Sequence, residues 1–584
     1  MTPPRSRLAI IAGFLLLVVA FAAWLGYEAV QAKSNLEEAR QNIQKSKDAL
    51  LEGDDEEAAD WADKAQSNAE AAQAHTDSVP WNIASAVPWL GGPLKTGQQI
   101  ADVVLVAVAD VLQPSVQIGQ VMSPDRLLKD GRVDVELLRE TEPKLSEISS
   151  AATKLVFQAE SISDPHYLST LRDARQQLQA QTSDLAGVIE NTALAARIAP
   201  SMMGADGPRA YFMGFQTNAE ARGTGGLMGA FGILRFDNGD AEVETLGRNS
   251  ALDKQFTPID FDQDFDEQWG FTNPSTDFRN SNMSSHFPYA AEIWRSMWRQ
   301  QSGTTVDGAI AIDPVALSYI LGAIGPVTMR DGETVTADNV VELTESTAYI
   351  RFANDNDARK QWLQDMASEV VKKVTGEVKA PRTLLDALGK GVSEGRIALW
   401  SSTPAEQKVV EETPLAHVVP DDPAPYAAVV VNNIGGNKLD YYLTRQIEYS
   451  AGACDGETRK STVTVRLTNN APPTGLPDYM AKLSELPFNA PLGTNAAWVS
   501  LIATKNAQIT NATIDGDLLT VASGEERGHP VFNSQVVMEP GRTIVLRFEL
   551  TEPTSPGAAR VPIQPLVDNP VPVVSVPECA AKEQ

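Results

Sequence analysis

Asn218, Glu220 and Arg222 alternate along an extended stretch, which puts their side chains on one face, and Arg351, Asp355, Asp357 and Arg359 bracket the entry to a helical pattern. Planar guanidinium forks hold phosphate oxygens two at a time without losing charge, and a neighbouring carboxylate can supply a hard ligand for Mg2+. The chemistry open to such sets is phosphate recognition or phosphoryl transfer. Both sets also have a plain structural reading: Glu220 and Arg222 can pair with each other, and Asp357 can stabilise a helix N-terminus. The run Gly223 to Gly229, GTGGLMG, spaces its glycines loosely like a dinucleotide loop. It leads into a strand pattern instead of opening a helix, so a backbone bend or a phosphate-approaching loop is the reading. Trp294 and Trp298 lie four apart, as do Arg295 and Arg299, so one helix carries two adjacent stripes, the Trp stripe being read as core. Asn432 to Lys438, NNIGGNK, is turn chemistry leading to Asp440, with Lys438 and Asp440 as candidates at a domain boundary. Two cysteines and five scattered histidines (His75, His166, His286, His417 and His529) have no zinc-ligand spacing.

The elements that must position these residues begin with an anchor. Leu8 to Tyr27 is a twenty-residue run without charge, about 30 Å as a helix, which is the depth of a bilayer's hydrocarbon core. Arg5 and Arg7 precede it and Glu28 comes directly after it, so the positive-inside rule makes residues 1–7 a cytoplasmic N-terminus and 8–27 a single transmembrane helix, with the bulk of the chain outside the cell membrane. A signal peptide cleaved near Ala20-Phe21-Ala22 is the competing reading, but the run exceeds the about 7–15 residues of an h-region. An oxidising address suits a disulfide between Cys454 and Cys579, two free buried thiols being the alternative.

Residues 28–204 are rich in strong helix formers, with Gly53-Asp54 as a break, and read as a helical stalk or bundle. Near Val103–Val111, Asp102 and Asp110 bracket only a short apolar run, too short to span and suited to a bundle core. Residues 205–400 alternate strand and helix patterns: PRAYFMGFQ, then GAFGILRF turning at Asp237-Asn238-Gly239 into AEVETL as a hairpin, then helices and further strands, which indicates an α/β layer domain. A Pro- and acid-rich linker at 401–425 leads to alternating strands over 426–584, read as a β-sandwich. The fold class is therefore multidomain α+β. The charge balance of 48 Lys+Arg against 76 Asp+Glu, 48 − 76 = −28, argues against a nucleic-acid partner.

The segments FQTNAEARGTGGLMGAFGILRF and VVVNNIGGNKLDYYLTRQIEY resemble the signatures of domain-of-unknown-function family 4012, membrane-anchored bacterial envelope proteins with no established activity. The order of elements from Tyr211 to Val374 more weakly resembles the LytR-CpsA-Psr enzymes, which transfer envelope polymers from a polyprenyl-pyrophosphate carrier to the cell wall. That resemblance makes Arg222, Arg248, Arg279, Asn280, Arg351, Asp355, Asp357 and Arg359 the candidate ligand-binding residues, with the arginines converging in one groove. The chain departs from it where carboxylates are needed: Gly223 stands after Arg222, and Asn249 after Arg248.

The expectation is an extracytoplasmic protein that binds or presents a polyprenyl-linked or wall-attached polymer with little or no catalysis. The alternatives are a phosphotransferase, for which alone Mg2+ is implied, and a structural scaffold for envelope protein partners.

Overall fold

The computed structural model describes residues 5–88, 91–129, 131–165, 167–376, 379–484 and 490–579. Residues 1–4 of the expected cytoplasmic segment, His166, and the last five residues of the expected C-terminal domain lie outside the described residues. The chain divides into two compact units, one of Met1–Lys129 and Val133–Asp206, the other of Asp130–Arg132 and Gly207–Gln584.

In the first unit the apolar run and the stalk are one helix, Arg5–Glu52, which Gly53 ends in the left-handed region before Asp54 caps the next helix, Asp55–Thr76, through the amide of Glu57. The two helices lie antiparallel along a seam of small residues. Ala58, Ala62, Ala65, Ala69 and Ala72 recur at alternating spacings of four and three and are all fully buried, while Ser46 donates to the Ala58 carbonyl across the seam. Small side chains let two helix backbones approach closely, so this hairpin owes its packing to alanine and not to bulk. The lower part of the first helix is long and apolar enough to cross a membrane, and Leu16 and Leu17 there are each 71% exposed. Gly91–Val121 passes the same length and hydropathy test, but Ile100, Val103, Val104, Val108 and Val111 are buried in the core of the helical unit. Val135–Glu160 and Ser169–Met202 complete that unit.

The second unit opens on a five-stranded sheet: β1 (Arg209–Arg222), β2 (Gly225–Asp237), β3 (Asp240–Arg248), β4 (Gly308–Ile312) and β5 (Ile397–Ser401), in the order β3-β2-β1-β4-β5. Asn238 and Gly239, both at positive φ, make the tight β2–β3 turn. Strand–helix alternation points to an α/β layer, yet only β1 and β4 run parallel, because β1 to β3 are joined by hairpins and β5 returns antiparallel to β4. The helix Phe287–Ser302 covers the sheet with Phe287, Ile293, Trp294 and Met297 against Phe212, Phe231 and Ile233, so Trp294 is core.

Two further sheets complete the second unit. One orders Ala427–Asn433, Asn495–Ala503, His529–Met538 and Ala522–Glu526, all antiparallel; the other orders Asp517–Leu518, Gln508–Ile514, Thr543–Pro553, Thr458–Asn469, Leu443–Ala451 and Val573–Ser575. Period-2 burial along Leu443, Ile447 and Tyr449, and along Val463, Val465 and Leu467, places one face of the six-stranded sheet in the same core as Val429, Val499 and Phe532 of the four-stranded one. Cys454 and Cys579 form a disulfide across 125 residues, tying down the extended tail that carries Val573–Ser575.

Candidate functional site

Past Phe215, β1 loses register with its neighbour. Thr217 pairs with Leu227 and Ala221 with Gly226, which leaves Asn218, Ala219 and Glu220 unopposed on β1. A bulge strands backbone donors that need partners elsewhere. Two buried carboxylates supply them: Glu345 accepts from the Ala219 amide and the Thr217 hydroxyl, and Asp440 accepts from the Ala221 amide at 2.8 Å. Glu345 sits in a π-helical turn, Leu343–Thr347. Asp440 is held by Asn433 and Asn495, each at 2.7 Å. The glycines after β1 serve close approach: a Cβ on Gly226 would lie 2.1 Å from the Thr217 carbonyl oxygen, and one on Gly223 would lie 2.2 Å from that of Met283. The loose glycine motif is thus a hairpin bend.

Glu220 projects from the bulge between two cations. It accepts from Arg222 Nη2 at 3.0 Å and from the Lys438 ammonium, and all three side chains are buried. Arg222 spends its other donors on the main-chain oxygens of Arg279, Ala221 and Asn433 at 2.9, 2.9 and 3.1 Å. Burial by itself would raise the pKa of Glu220, but Lys438 and then Arg222 outweigh it and hold the carboxylate below its usual value. Among the described residues no cation is bonded to Glu345, and Lys438 offsets its burial only weakly. Burial pushes it up to about 8 against the opposing hydrogen bonds from Thr217 and Ala219, so at neutral pH it is largely the protonated acid. Burial likewise raises Asp440.

Nearer the surface, Arg359 is buried between two tyrosine rings, 4.3 Å from Tyr349 and 5.0 Å from Tyr479, with Nη2 on Asn356 at 2.6 Å. Lys438 lies 5.6 Å from the Tyr479 ring, which is 48% exposed. Burial would raise the Tyr479 phenol, but Lys438 and Arg359 together draw it below its ordinary value. The ammonium of Lys360 is depressed, first by burial and then by Arg359 and Arg248.

Of the eight ligand-binding candidates, Arg248, Asp355, Asp357 and Arg359 gather around the first turn of Asn356–Val374. Arg248 reaches the Gln364 amide oxygen at 3.4 Å and that of Gln361, and Asp357 at 4.0 Å. Asp355 caps the helix by accepting from the Ala358 amide at 2.9 Å. The others sit apart from that group. Arg222 is the buried partner of Glu220, Arg279 pairs with Asp253 at 2.7 Å and Asp277 at 3.1 Å, and Asn280 donates to the Thr272 carbonyl at 2.7 Å. Arg351 forks onto both oxygens of Glu333 at 2.7 Å each, above the Trp362 ring. Two cavities of this unit, of about 350 and 510 Å3, are lined by other residues, including Arg295 and Arg299 in the first and His286 and Arg527 in the second. The carboxylates do not make a Mg2+ donor set: Asp355 is committed to its cap, Asp357 stands 92% exposed toward Arg248, and among the described residues no group of three His, Cys, Asp or Glu is placed to hold a metal ion.

Lys438 and Asp440 stand out in the sequence as turn-adjacent polar residues, and both belong to the bulge network. Glu345 carries no local signal, since TEST inside a helical stretch reads as a solvated face. No curated protein and no solved structure matches the chain. A family model described as protein of unknown function (DUF4012) matches residues 206–349, a span that runs from the start of β1 through the bulge and its hairpin to Glu345 and Tyr349. Over that segment, this chain carries the DUF4012 domain.

Proposed function

We propose that this protein is a single-pass, membrane-anchored structural scaffold of the bacterial cell envelope, with its N-terminus in the cytoplasm and its folded units outside, holding partner proteins and not carrying out phosphoryl transfer. The observation that carries this reading is the disposition of Arg222, Arg279 and Arg351, each satisfied by carboxylates of its own chain. An arginine recruited for a pyrophosphate would keep its fork free, whereas these are bonds of a fold built to stay in one shape. The outside address is supported by the apolar N-terminal helix and by the Cys454–Cys579 disulfide, which is at home in an oxidising compartment. The two C-terminal sheets sharing one core support the β-sandwich reading, and the order of strands and helices from Tyr211 onward is what remains of the LytR-CpsA-Psr likeness.

One observation favours the second reading, a binder of polyprenyl-linked or wall-attached polymer. Arg248 ends on neutral glutamine amides, with Asp357 no closer than 4.0 Å, and shares its surroundings with Arg359 and Lys360. Titrating the detergent-solubilised full chain with undecaprenyl pyrophosphate decides between the two. The scaffold reading expects no saturable heat of binding. Saturable binding that Arg248→Ala weakens while the melting temperature stays unchanged would replace it with the binding reading.

A further inference from the structure

The returning helix of the stalk brings the chain back to the end of the apolar run. His75 Nδ1 lies 2.6 Å from a carboxylate oxygen of Glu28, the residue directly after Tyr27, and the Tyr27 and His75 rings meet edge to face at 6.4 Å. The turn at Gly53-Asp54 is the opposite end, about 36 Å along the helix from Glu28 at 1.5 Å per residue. The segment after His75 is therefore level with the end of the span, and it changes character: between Asp77 and Lys95 there is no charged residue. This stretch is no second span, being broken by Pro80, Pro88 and Gly91-Gly92. It holds the short helix Val79–Ser85, whose Trp81 is buried and donates Nε1 to the Leu94 carbonyl at 2.9 Å. Anchored by Trp81, the helix leaves Val79 and Ile83, one turn apart, 62% and 56% exposed.

A second corner lies at the same end. Gln98 reaches the Thr76 carbonyl at 2.9 Å, and the next residue, Gln99, accepts from the Ser163 amide at 2.9 Å, with Thr96 donating to the Ser163 carbonyl. The loop after Val135–Glu160 therefore turns beside the foot of the stalk, and it exposes Tyr167 and Leu168. Trp24 and Tyr27, exposed at the top of the apolar run, are the residue types that favour the boundary between acyl chains and water.

We propose that Val79, Ile83, Tyr167 and Leu168 form a membrane-interface foot, inserted into the headgroup–acyl boundary of the bilayer that holds the N-terminal helix. The occupant of this apolar surface is lipid because the surface continues directly from the end of the span and the stretch from Ser78 to Leu94 carries no charged side chain to be desolvated. A seated helix of this kind buries its apolar face by roughly 5–10 Å. The foot would hold the helical hairpin at a set angle to the membrane, which a single helix free to tilt in the bilayer would not do. The proposal rests on the anchor reading.

The test places single cysteines in the full chain, reconstituted in phosphatidylcholine nanodiscs, at Ile83→Cys, Leu168→Cys, Glu56→Cys and Val18→Cys, each labelled with an environment-sensitive fluorophore. The native cysteines are bonded to each other, so without reductant only the new thiol reacts. The labels at 83 and 168 should emit blue-shifted relative to the label at 56, and lipids carrying a nitroxide near the headgroup should quench those two and leave the label at 56, beside the far turn, unchanged. A nitroxide deep in the acyl chains should quench the label at 18. If the labels at 83 and 168 behave like that at 56 while the label at 18 is quenched, the anchor stands and the foot is overturned. An unquenched label at 18 overturns the anchor and the foot with it.

Discussion

Replacing Glu345 with Gln should stabilise the sheet domain at alkaline pH and leave it nearly unchanged at pH 5. Glu345 is fully buried, and its carboxyl is raised from 4.5 to about 8, first by burial. The folded state thus holds this proton more tightly than the unfolded chain does, so the contribution is present in full below pH 4.5 and is lost as pH rises toward 8. At about 1.4 kcal/mol per pH unit the complete loss is on the order of 5 kcal/mol, and roughly 3 kcal/mol of it has gone by pH 7. Gln keeps an amide oxygen to accept from the Thr217 hydroxyl and the Ala219 amide but cannot ionise, so it mimics the acid at every pH. Asp313, which faces Glu345 and is itself raised by burial, and Lys438, which lowers it, are common to both proteins and cancel in the difference. Because the chain has two compact units, the assay should read the sheet alone, by hydrogen exchange of the peptide covering β1 during urea unfolding between pH 5 and 8.5. The variant should gain on the wild type progressively above about pH 4.5, reaching about 3 kcal/mol by pH 7 and about 4 kcal/mol by pH 8. A flat difference across that range, or a variant that weakens as pH rises, would refute the placement of a protonated acid under the bulge.

Arg222→Ala strips three main-chain oxygens of their buried donor and leaves Glu220 with Lys438 alone, and should cost about 3–5 kcal/mol in urea unfolding, whereas Arg351→Ala, losing a partly exposed pair with Glu333, should cost about 1 kcal/mol or less. Equal effects would count against the buried-network account. Reducing the Cys454–Cys579 disulfide should lower the stability of the C-terminal sheets by up to about 5 kcal/mol, the chain-entropy ceiling for a loop of this length, and should release the tail to protease first; an unchanged cleavage pattern would contradict this. Burial depresses His286 to about 3 and His417 to about 4, so both imidazoles should stay neutral in ring-proton NMR at pH 5, and the stability they lend, present above about pH 6.5, should fall as pH drops below it. A ring resonance of either residue titrating near 6.5 would show that it is not buried.

Local rules were enough for much of this chain. An uncharged run of twenty residues, alanine-rich helix formers broken at Gly53-Asp54, an Asn-Gly turn between β2 and β3, and period-2 strands after residue 426 each express a preference of neighbouring residues for one backbone shape. The mutual pairing of Glu220 with Arg222 was legible for the same reason, being a contact two residues apart.

What the sequence could not carry is every partner brought in from far along the chain. Glu345 meets Ala219 across 126 residues, Lys438 meets Glu220 across 218, and Asp440 meets Ala221 across 219. Whether the arginines of four separated segments shared a groove or found carboxylates of their own was likewise undetermined by spacing, since Arg351 and Glu333 are eighteen residues apart with the helical segment from Val340 to Arg351 leading away from Glu333. Periodicity reports which face of an element is apolar, and it is silent on which other element that face will meet. The protonation of Glu345 belongs wholly to the tertiary structure, because it arises from the removal of water by elements remote in sequence and from the absence of a cation close enough to offset that loss.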